Sequence, residues 1–438
     1  MIEQTLKRKN IGSACKQVVS NKGSAGVDGM TVTELPHYLK SNQKDICDKI
    51  RSDQYFAQAI LGVEIPKENG KKRLLGIPTV VDRLLQQAVH QIISPMFEVE
   101  FTEHSYGFRP HRNAHQAILQ AQKNIHEGCN YIVDIDLKSF FDEVDHEILL
   151  RLLYAKVKCP ITLRLIRQWL RVPILLNGKL VKRKKGVPQG SPLSPLLSNI
   201  MLHELDKELE KRGHRYVRYA DDFSIYTRSK KAARRVGNSI YLFLKNKMKL
   251  PINRGKSGIR KPVQFKILGH EFVPTYRKGE KGKYQVVVSE KKWKTLKTKL
   301  KRITQKTAPL TFDQRIAQLK TVHRGWINYF RMASIQSKLK ELDGWLRNRL
   351  RYCIWKDWKK PDRKRKNLIQ LGIHHGQAYT WSRTRMGGWA VAQSPILGTT
   401  ITVSRLIKRG YESMFSYYEK VSPDLNEPLY ARSARTVV

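Results

Sequence analysis

The feature that most restricts the fold is a short acidic segment between two strand-like runs. The tetrapeptide Tyr-Ala-Asp-Asp at Tyr219–Asp222 separates Arg215–Tyr219 from Phe223–Thr227, and both runs are rich in residues that favour strands. This pattern predicts a β-hairpin with Asp221 and Asp222 at or beside its tight turn, where carboxylates can project together. A lone Asp-Asp pair is usually a solvated turn, but the four-residue string is expected by chance in well under about one chain in a hundred of this length.

A second predicted strand also carries acids. Asp134 and Asp136 stand two residues apart in the run 131–136, so both side chains are expected on the same face. A half-buried strand should not carry acids on its inner face unless they bind something. Nucleotidyl transfer would use them, because carboxylate oxygens are the ligands that Mg²⁺ prefers and the reaction employs two such ions about 3.5–4 Å apart.

The charge of the chain points to its partner. There are 83 Lys and Arg residues against 37 Asp and Glu residues, which gives a formal net charge of +46. So much like charge repels itself unless a polyanion compensates it. A nucleic acid is therefore favoured, although a structural RNA-binding protein fits equally well and an anionic membrane surface fits less well.

Cysteines and hydropathy exclude several classes of protein. The five cysteines lie far apart without a Cys-x-x-Cys pair, so neither a zinc site nor a disulfide framework is indicated. The first residues lack an apolar signal core, and no run approaches the roughly 20 apolar residues of a membrane span. We expect a soluble, intracellular protein with no membrane partner.

The pattern along the chain changes near residue 285. Before it, short strand-like runs alternate with helical stretches such as 82–93, which is typical of an α+β body. Beyond it, Trp293, Leu296, Leu300 and Ile303 follow helical spacing. Residues 291–370 contain 24 Lys and Arg but 5 Asp and Glu, interleaved with aromatic residues that fit either a bundle core or a nucleic-acid surface. The polar segment 359–366, interrupted by Pro, is the predicted linker.

The acidic strands resemble motifs A and C of the reverse transcriptase palm. Asp136, with the aromatic Phe141 five residues later, and the Tyr-Ala-Asp-Asp hairpin match those motifs. The resemblance implies that Asp136, Asp221 and Asp222 hold two Mg²⁺ ions, and that Asp134 has a structural role. It also implies that Phe141 lies under the sugar of the incoming nucleotide and excludes a 2′-hydroxyl, so that dNTPs are the substrates.

Further segments resemble the remaining motifs of that family in the same order. Gly186–Pro195 is similar to motif B, in which Gln189 and Gly190 let the backbone approach the nascent base pair. The segment 63–78 reads as a hairpin around Asn69-Gly70, and it resembles the fingers segment whose basic residues grip the triphosphate. The residues that this implies for nucleotide binding, besides Phe141, Gln189 and Gly190, are Lys67, Arg73 and Lys256.

Two features resemble the group II intron branch of reverse transcriptases. They are the early segment 21–29 and the basic helical segment holding 325–330 and 342–351, which is similar to the thumb, or domain X, of intron maturases. This implies nucleic-acid contacts in the thumb, for which we expect Lys292, Lys299, Arg324, Lys338, Lys340, Arg347 and Arg351. The segment 384–389 resembles a small DNA-binding domain, and a Cys-paired C-terminal endonuclease is not expected.

The resemblance implies a right-hand polymerase fold. Fingers and palm, with an antiparallel palm sheet, are expected over 1–285, a helical thumb over 286–361 and a small basic DNA-binding domain over 362–438. The implied function is RNA-directed DNA synthesis from a 3′-hydroxyl, with dNTPs, an RNA template and DNA primer, target DNA and the intron RNA as partners. Such a protein works in the bacterial cytoplasm, at the nucleoid when it acts on DNA. The alternatives are a splicing-only maturase and a reverse transcriptase that serves a defence or CRISPR system.

Overall fold

The fold has two parts. The computed structural model describes residues 1–66, 70, 72–276 and 282–422. The internal contacts divide the chain into two compact units, Met1–Phe265 and Lys266–Val438. Helices and strands are mixed in the first unit, whereas the second combines a small sheet with helices, so the expectation of a mixed α and β fold is confirmed.

The first unit begins with helices and then alternates strands with helices. Its elements are α1 Ile2–Leu6, α2 Arg8–Ser20, α3 Leu35–Arg51, β1 Ile60–Pro66, β2 Lys72–Ile77, α4 Val80–Glu98, α5 Ala114–His126, β3 Tyr131–Ile135, α6 Phe140–Glu143, α7 His146–Lys156, α8 Pro160–Arg171, β4 Ile174–Leu176, β5 Lys179–Val181, α9 Ser194–Lys211, β6 Arg215–Tyr219, β7 Asp222–Thr227, α10 Lys230–Asn246, β8 Gly258–Arg260 and a 3₁₀ turn Pro262–Gln264.

Two four-stranded sheets organise this unit. In one sheet the strand order is β2-β1-β4-β5, and in the other it is β6-β7-β3-β8, so the two predicted acidic strands are neighbours. The strands β3 and β7 are antiparallel, with Ile135 opposite Phe223. Their apolar residues, among them Ile132, Ile135 and Ile225, are buried in the core. Ile132 and Ile135 stand three residues apart and point to opposite faces, so the protein covers both faces of β3.

The second unit starts with strands and continues as helices. Its elements are β9 Lys266–Ile267, β10 His270–Pro274, β11 Tyr284–Val288, α11 Glu290–Ile303, α12 Phe312–Phe330, α13 Gln336–Asp357, α14 Pro361–Gln370, α15 His375–Ser382, α16 Gly388–Gln393, α17 Pro395–Thr400, α18 Val403–Lys408 and α19 Met414–Val421. The three strands form one antiparallel sheet in the order β11-β10-β9.

The predicted apolar stripe of α11 is confirmed. Trp293, Leu296, Leu300 and Ile303 are all buried, as the helical spacing indicated. The prediction of a linker at 359–366 is wrong, because α14 begins at Pro361 and continues through that segment. Proline is compatible with the first turn of a helix, where its missing N–H has no partner to lose, so the helix starts at this residue rather than being broken by it.

Among the described residues, we find no helix whose length and apolar character would suffice to cross a membrane.

Candidate active site

The predicted acidic hairpin is present in the first unit. Strands β6 and β7 are antiparallel with Tyr219 opposite Asp222, so Ala220 and Asp221 form a two-residue turn. Ala220 has a φ of 57°, in the left-handed region that hairpin turns of the primed types require. This conformation is uncommon for a residue with a Cβ, and it sets the direction in which the adjacent carboxylates leave the turn.

Strand pairing brings the third predicted acid beside the other two. Asp136 directly follows β3, whose Ile135 pairs with Phe223, so the next position along the register lies at Asp222. Burial by the surrounding protein atoms, together with repulsion from Asp221, Asp136 and Asp134, raises the pKa of Asp222 to about 6, and Lys256 opposes that shift. Burial also raises the pKa of Asp221; its own backbone N–H and Arg73 oppose that shift, and Asp136 adds to it. The three acids therefore act on one another electrostatically.

A loop after α10 fixes the backbone of Asp136. Its amide donates to Ser257 Oγ at 3.0 Å, and its carbonyl accepts from the amide of Asn253 at 2.8 Å. The same loop places the Nζ of Lys256 3.4 Å from the Oδ2 of Asp136. Lys256 is otherwise exposed, so its ammonium group stands at the acidic cluster with room for an anionic ligand.

Asp134 has its own partner. Arg260 on β8 donates through Nε to the Oδ2 of Asp134 at 2.8 Å. Burial raises the pKa of Asp134, and Arg260 opposes that shift. An acid already paired with an arginine is less available to a ligand, which supports the structural role expected for Asp134.

A buried polar network that the sequence reasoning missed holds the hairpin turn. Arg218, which is fully buried, donates to both carboxylate oxygens of Asp206 on α9, at 2.8 and 2.5 Å. Its Nη1 also donates to Asn199 Oδ1 at 2.9 Å and to the carbonyl of Ala220 at 3.1 Å. The available signal was an arginine within a strand otherwise expected to be half buried, since a buried charge requires a partner.

The segment 104–110 packs against the same turn. Asn199 Nδ2 donates to the carbonyl of Gly107 at 2.9 Å, and the amide of Tyr106 donates to the carbonyl of Arg218 at 2.9 Å. A Cβ on Gly107 would overlap the backbone of Ala220. Glycine at this position therefore lets the chain approach the turn closely.

The segment 186–195 lies against the strand predicted to grip the triphosphate. Gln189 accepts from the Nε of Arg73 through Oε1, and its carbonyl accepts from the amide of Gly76 at 2.7 Å. Gly190 has a φ of +119°, and a Cβ there would meet the carbonyl oxygen of Gly76 at 2.5 Å. A side chain at Gly190 would force these two segments apart. Lys67, the partner expected for Arg73, lies outside the described residues.

Phe141 contacts the start of the segment 186–195. It is 9% exposed on the short helix α6, and its carbonyl accepts from the amide of Val187 at 2.6 Å. It contributes to a cavity of about 220 Å³. The other lining residues are Leu74, Gly76, Asp142, Ile174, Leu176, Val181, Arg183, Lys185, Gly186, Val187, Pro188 and Gln189. The predicted nucleotide residues Phe141 and Gln189 thus share one cavity.

The described part of the chain holds no group of three His, Cys, Asp or Glu side chains already arranged to bind a metal ion. The acids that the sequence singled out nevertheless lie at the ends of adjacent strands and repel one another, as the pKa of Asp222 indicates. Carboxylates are the donors that Mg²⁺ takes, and substrate phosphates usually complete its ligand shell. The donor chemistry fits such an ion once phosphate joins it.

The predicted nucleic-acid residues all lie in the second unit, and they differ in their partners. Arg324 forms an ion pair with Glu412 at 2.7 Å, and Lys338 forms one with Glu290 at 3.0 Å. Lys340 lies over the ring of Phe415, and the Nε of Arg351 donates to a backbone carbonyl at Ile401. Lys299 is exposed, whereas Lys292 and Arg347 are half-buried.

Comparisons with known proteins agree with this arrangement. A family model described as "Reverse transcriptase (RNA-dependent DNA polymerase)" matches residues 65–272. A second model, "Group II intron, maturase-specific domain", matches residues 293–372. The first match contains every described residue of the acidic cluster, and the second covers α11 from Trp293 onward together with α12 and α13.

Individual relatives point the same way. "Group II intron-encoded protein LtrA" of Lactococcus lactis subsp. cremoris is 31% identical over 326 residues, which are 59% of this chain and 54% of that protein. The chain thus spans about half the length of this relative. "Protein YkfC" of Escherichia coli (strain K12) is 30% identical over 305 residues, 60% of this chain and 80% of that protein.

Among solved structures, "Partial Cas6-RT-Cas1--Cas2 complex" is 26% identical with a TM-score of 0.36, over 56% of this chain and 42% of that chain. The two family models and the intron-encoded relative coincide with the acidic hairpin and the basic helices found above. This chain therefore belongs to the group II intron-encoded reverse transcriptase/maturase family.

Proposed function

We propose that this chain is the RNA-directed DNA polymerase of a group II intron. It extends the 3′-hydroxyl of a DNA primer with dNTPs on an RNA template, and it binds intron RNA to assist splicing and mobility at target DNA. Such work belongs in the bacterial cytoplasm, at the nucleoid when DNA is the target. The observation that supports the proposal most is that Asp136, Asp221 and Asp222 lie at neighbouring strand ends, with the pKa of Asp222 raised to about 6.

In this proposal the three acids hold two Mg²⁺ ions. When bound, such ions lower the pKa of the attacking 3′-hydroxyl and offset the charge of the departing pyrophosphate. Asp136, Asp221 and Asp222 supply carboxylate oxygens, and their mutual repulsion is relieved by a cation. Their strands correspond to the palm of a right-hand polymerase, with fingers preceding it and the basic helices α11 to α13 as the thumb.

The remaining residues bind and orient the nucleotide. Arg73, held through its Nε by Gln189, presents its other guanidinium nitrogens to the triphosphate, with Lys67 as the expected second cation. Gly190 keeps the backbone free of a side chain where the new base pair forms. Phe141 fills the space that a 2′-hydroxyl would need. Lys256, beside Asp136, neutralises or protonates the leaving pyrophosphate.

Replacement of one metal-binding acid tests the proposal. Asp221→Asn should abolish dNTP incorporation while template–primer affinity changes little, because the ions act on the reacting phosphate and the duplex is held by its backbone. Primer extension on an RNA template with saturating Mg²⁺ is the measurement, with filter binding of the same duplex beside it.

A variant of the neighbouring acid Asp134 serves as the control, because it removes a carboxylate that the proposal does not place at the metal ions. Asp134→Asn, at an acid paired with Arg260, should retain most extension activity. Substantial residual synthesis by Asp221→Asn would remove that residue from the metal site. If the parent protein bound intron RNA and assisted splicing but extended no primer, it would be a splicing-only maturase instead.

A further inference from the structure

A cavity in the second unit lies outside the site described so far. It has a volume of about 610 Å³ and is lined by residues of α11, α13 and α16. The lining residues are Lys294, Lys297, Thr298, Lys301, Trp345, Arg349 and Trp389. We call this the α11–α13 cavity. Its lining contains four cations, two indole rings and one hydroxyl, and it contains no carboxylate.

The lysines of the cavity face no carboxylate of its lining, and the Nζ of Lys297 lies 5.4 Å from the ring centre of Trp345. Lys294, Lys297 and Lys301 stand at i, i+3 and i+7 on α11, so their ammonium groups share one face and repel one another. The described residues provide none of these three lysines with an ion pair, in contrast to Lys338, which Glu290 neutralises. Three exposed like charges on one face favour a ligand with more than one negative charge.

Hydrogen bonds hold one cation, Arg349, in place on the aromatic side of the cavity. The Nη2 of Arg349 donates to the carbonyl of Thr304 at 2.7 Å and its Nε donates to the hydroxyl of Thr304 at 3.1 Å, at the C-terminal end of α11. The fixed guanidinium lies 5.9 Å from the ring centre of Trp345 and 5.6 Å from that of Trp389. The two indoles thus flank one anchored cation, and both remain half exposed.

A close helix approach places Trp389 in this cavity. A Cβ on Gly388 would meet the Cε of Lys356 at 2.8 Å and a ring carbon of Tyr352 at 3.2 Å. Glycine at this position therefore allows α16 to pack on α13, and the ring of Tyr352 lies edge-on to Trp389 at 6.1 Å. An indole that is 44 residues away in sequence from Trp345 would otherwise not share a surface with it.

We propose that the α11–α13 cavity binds an unpaired nucleotide of single-stranded RNA. Its base stacks on the exposed indole faces of Trp345 and Trp389, and the flanking phosphates contact Lys294, Lys297 and Lys301. Aromatic faces with adjacent cations are the usual way in which proteins take up unstacked bases. The hydroxyl of Thr298 offers a hydrogen-bonding partner for a 2′-hydroxyl.

The choice of RNA as the ligand rests on the proposed function, and it adds to that function a specific contact for the intron RNA. Six of the seven lining residues fall within the segment 293–372 that matches the maturase-specific domain. A base-paired duplex fits the cavity poorly, because its bases are stacked on each other and cannot reach the indoles. An unpaired residue in a loop or bulge of the intron RNA is the ligand that these features select.

A fluorescent base reports the stacking directly. The probe is a short single-stranded RNA with one 2-aminopurine, and its quenching and affinity are measured with the full chain. Trp389→Ala should weaken binding roughly 5- to 150-fold, the loss expected for one stacked base, and should restore much of the fluorescence. Trp389→Phe should keep most of both. Changing the three lysines to Gln should flatten the log–log salt slope by about 2, at about 0.7 per contact.

Matched controls distinguish this inference from the proposed function. Tyr154, an exposed aromatic under Lys158 in the first unit, provides Tyr154→Ala, which should leave both quenching and primer extension unchanged. Asp221→Asn should lose extension but keep the quenching, so each hypothesis can fail alone. Thermal melting shows whether Trp389→Ala is folded, and the lysine variant, changed only at exposed side chains, carries the test if it is not.

Three results would overturn the inference. Parent-like quenching and affinity in Trp389→Ala and in the lysine variant would mean that the cavity is not the binding site. Equal quenching with the same base in a blunt RNA duplex would show that no unpaired base is taken up. Equal affinity and quenching with the matching single-stranded DNA would reject RNA as the ligand.

Discussion

Individual residues of the acidic hairpin depend on an unfavourable backbone conformation. Ala220 adopts a φ of 57°, which costs a residue with a Cβ roughly 1–2 kcal/mol. Arg218 holds the carbonyl of Ala220, and Gly107 packs against its backbone, so neighbouring contacts maintain that conformation. Backbone strain held in this way is common where side chains must be positioned for chemistry.

A single side chain, that of Phe141, is expected to discriminate between dNTPs and ribonucleotides. It is buried beside the cavity that Gln189 also lines, so replacing it with alanine should open space near the sugar of the incoming nucleotide. We expect Phe141→Ala to accept ribonucleotides more readily and to retain part of its dNTP use. The measurement is the ratio of kcat/KM for dNTP over rNTP. An unchanged ratio would place the discrimination elsewhere.

At the scale of elements, a buried ion pair ties α9 to the β6–β7 hairpin. Arg218 and Asp206 are both fully buried, and truncation of one partner leaves the other charge without compensation. Arg218→Met should therefore lower the free energy of unfolding by about 3–5 kcal/mol. Replacing both residues, as Arg218→Met with Asp206→Leu, should recover much of that loss, because no unpaired charge remains.

The same pair tests whether Arg218 positions the turn. The double variant still lacks the hydrogen bond to the carbonyl of Ala220, so kcat should fall while KM for dNTP stays close to that of the parent. Urea unfolding followed by tyrosine and tryptophan fluorescence gives the stability, and primer extension gives the kinetics. Parent-like kcat in a stable double variant would limit Arg218 to a structural role.

The whole molecule carries a net charge of +46, but its cations are not equivalent. Lys299 and Lys340 are exposed without an ion pair among the described residues, whereas Lys338 is neutralised by Glu290. Lys299→Gln with Lys340→Gln should weaken intron RNA binding and flatten the log–log salt slope by about 0.7 per lost contact. Lys338→Gln, on the same helix as Lys340, should change the slope less.

A salt titration of intron RNA affinity measures this difference. Primer extension on a short template should be less affected by the Lys299 and Lys340 changes, whereas Asp221→Asn should lose synthesis and keep RNA binding. Equal slopes for the double variant and the parent would show that these two lysines are only solvated.

The sequence alone predicted the elements whose cause is local. The strand-favouring residues of 131–136 and 215–227 predicted strands there, and the stripe from Trp293 to Ile303 reflects burial of one helix face, so both could be read from the local sequence. Asp221 and Asp222 were predicted from the hairpin pattern, whereas Asp136 was preferred to Asp134 through the resemblance to motif A; strand pairing then placed Asp136 beside Asp222.

Other features were decided by tertiary structure. The spacing of apolar residues indicates which face of an element is buried, but it does not indicate which residues pack on that face. For this reason the sequence did not identify Asp206 as the partner of Arg218, or Glu412 as the partner of Arg324. The charged segment 359–366 suggested a linker, but α14 forms there and packs on α15. Trp389 meets Arg349 because α16 packs closely on α13 beside Gly388, a contact set by shape between distant segments.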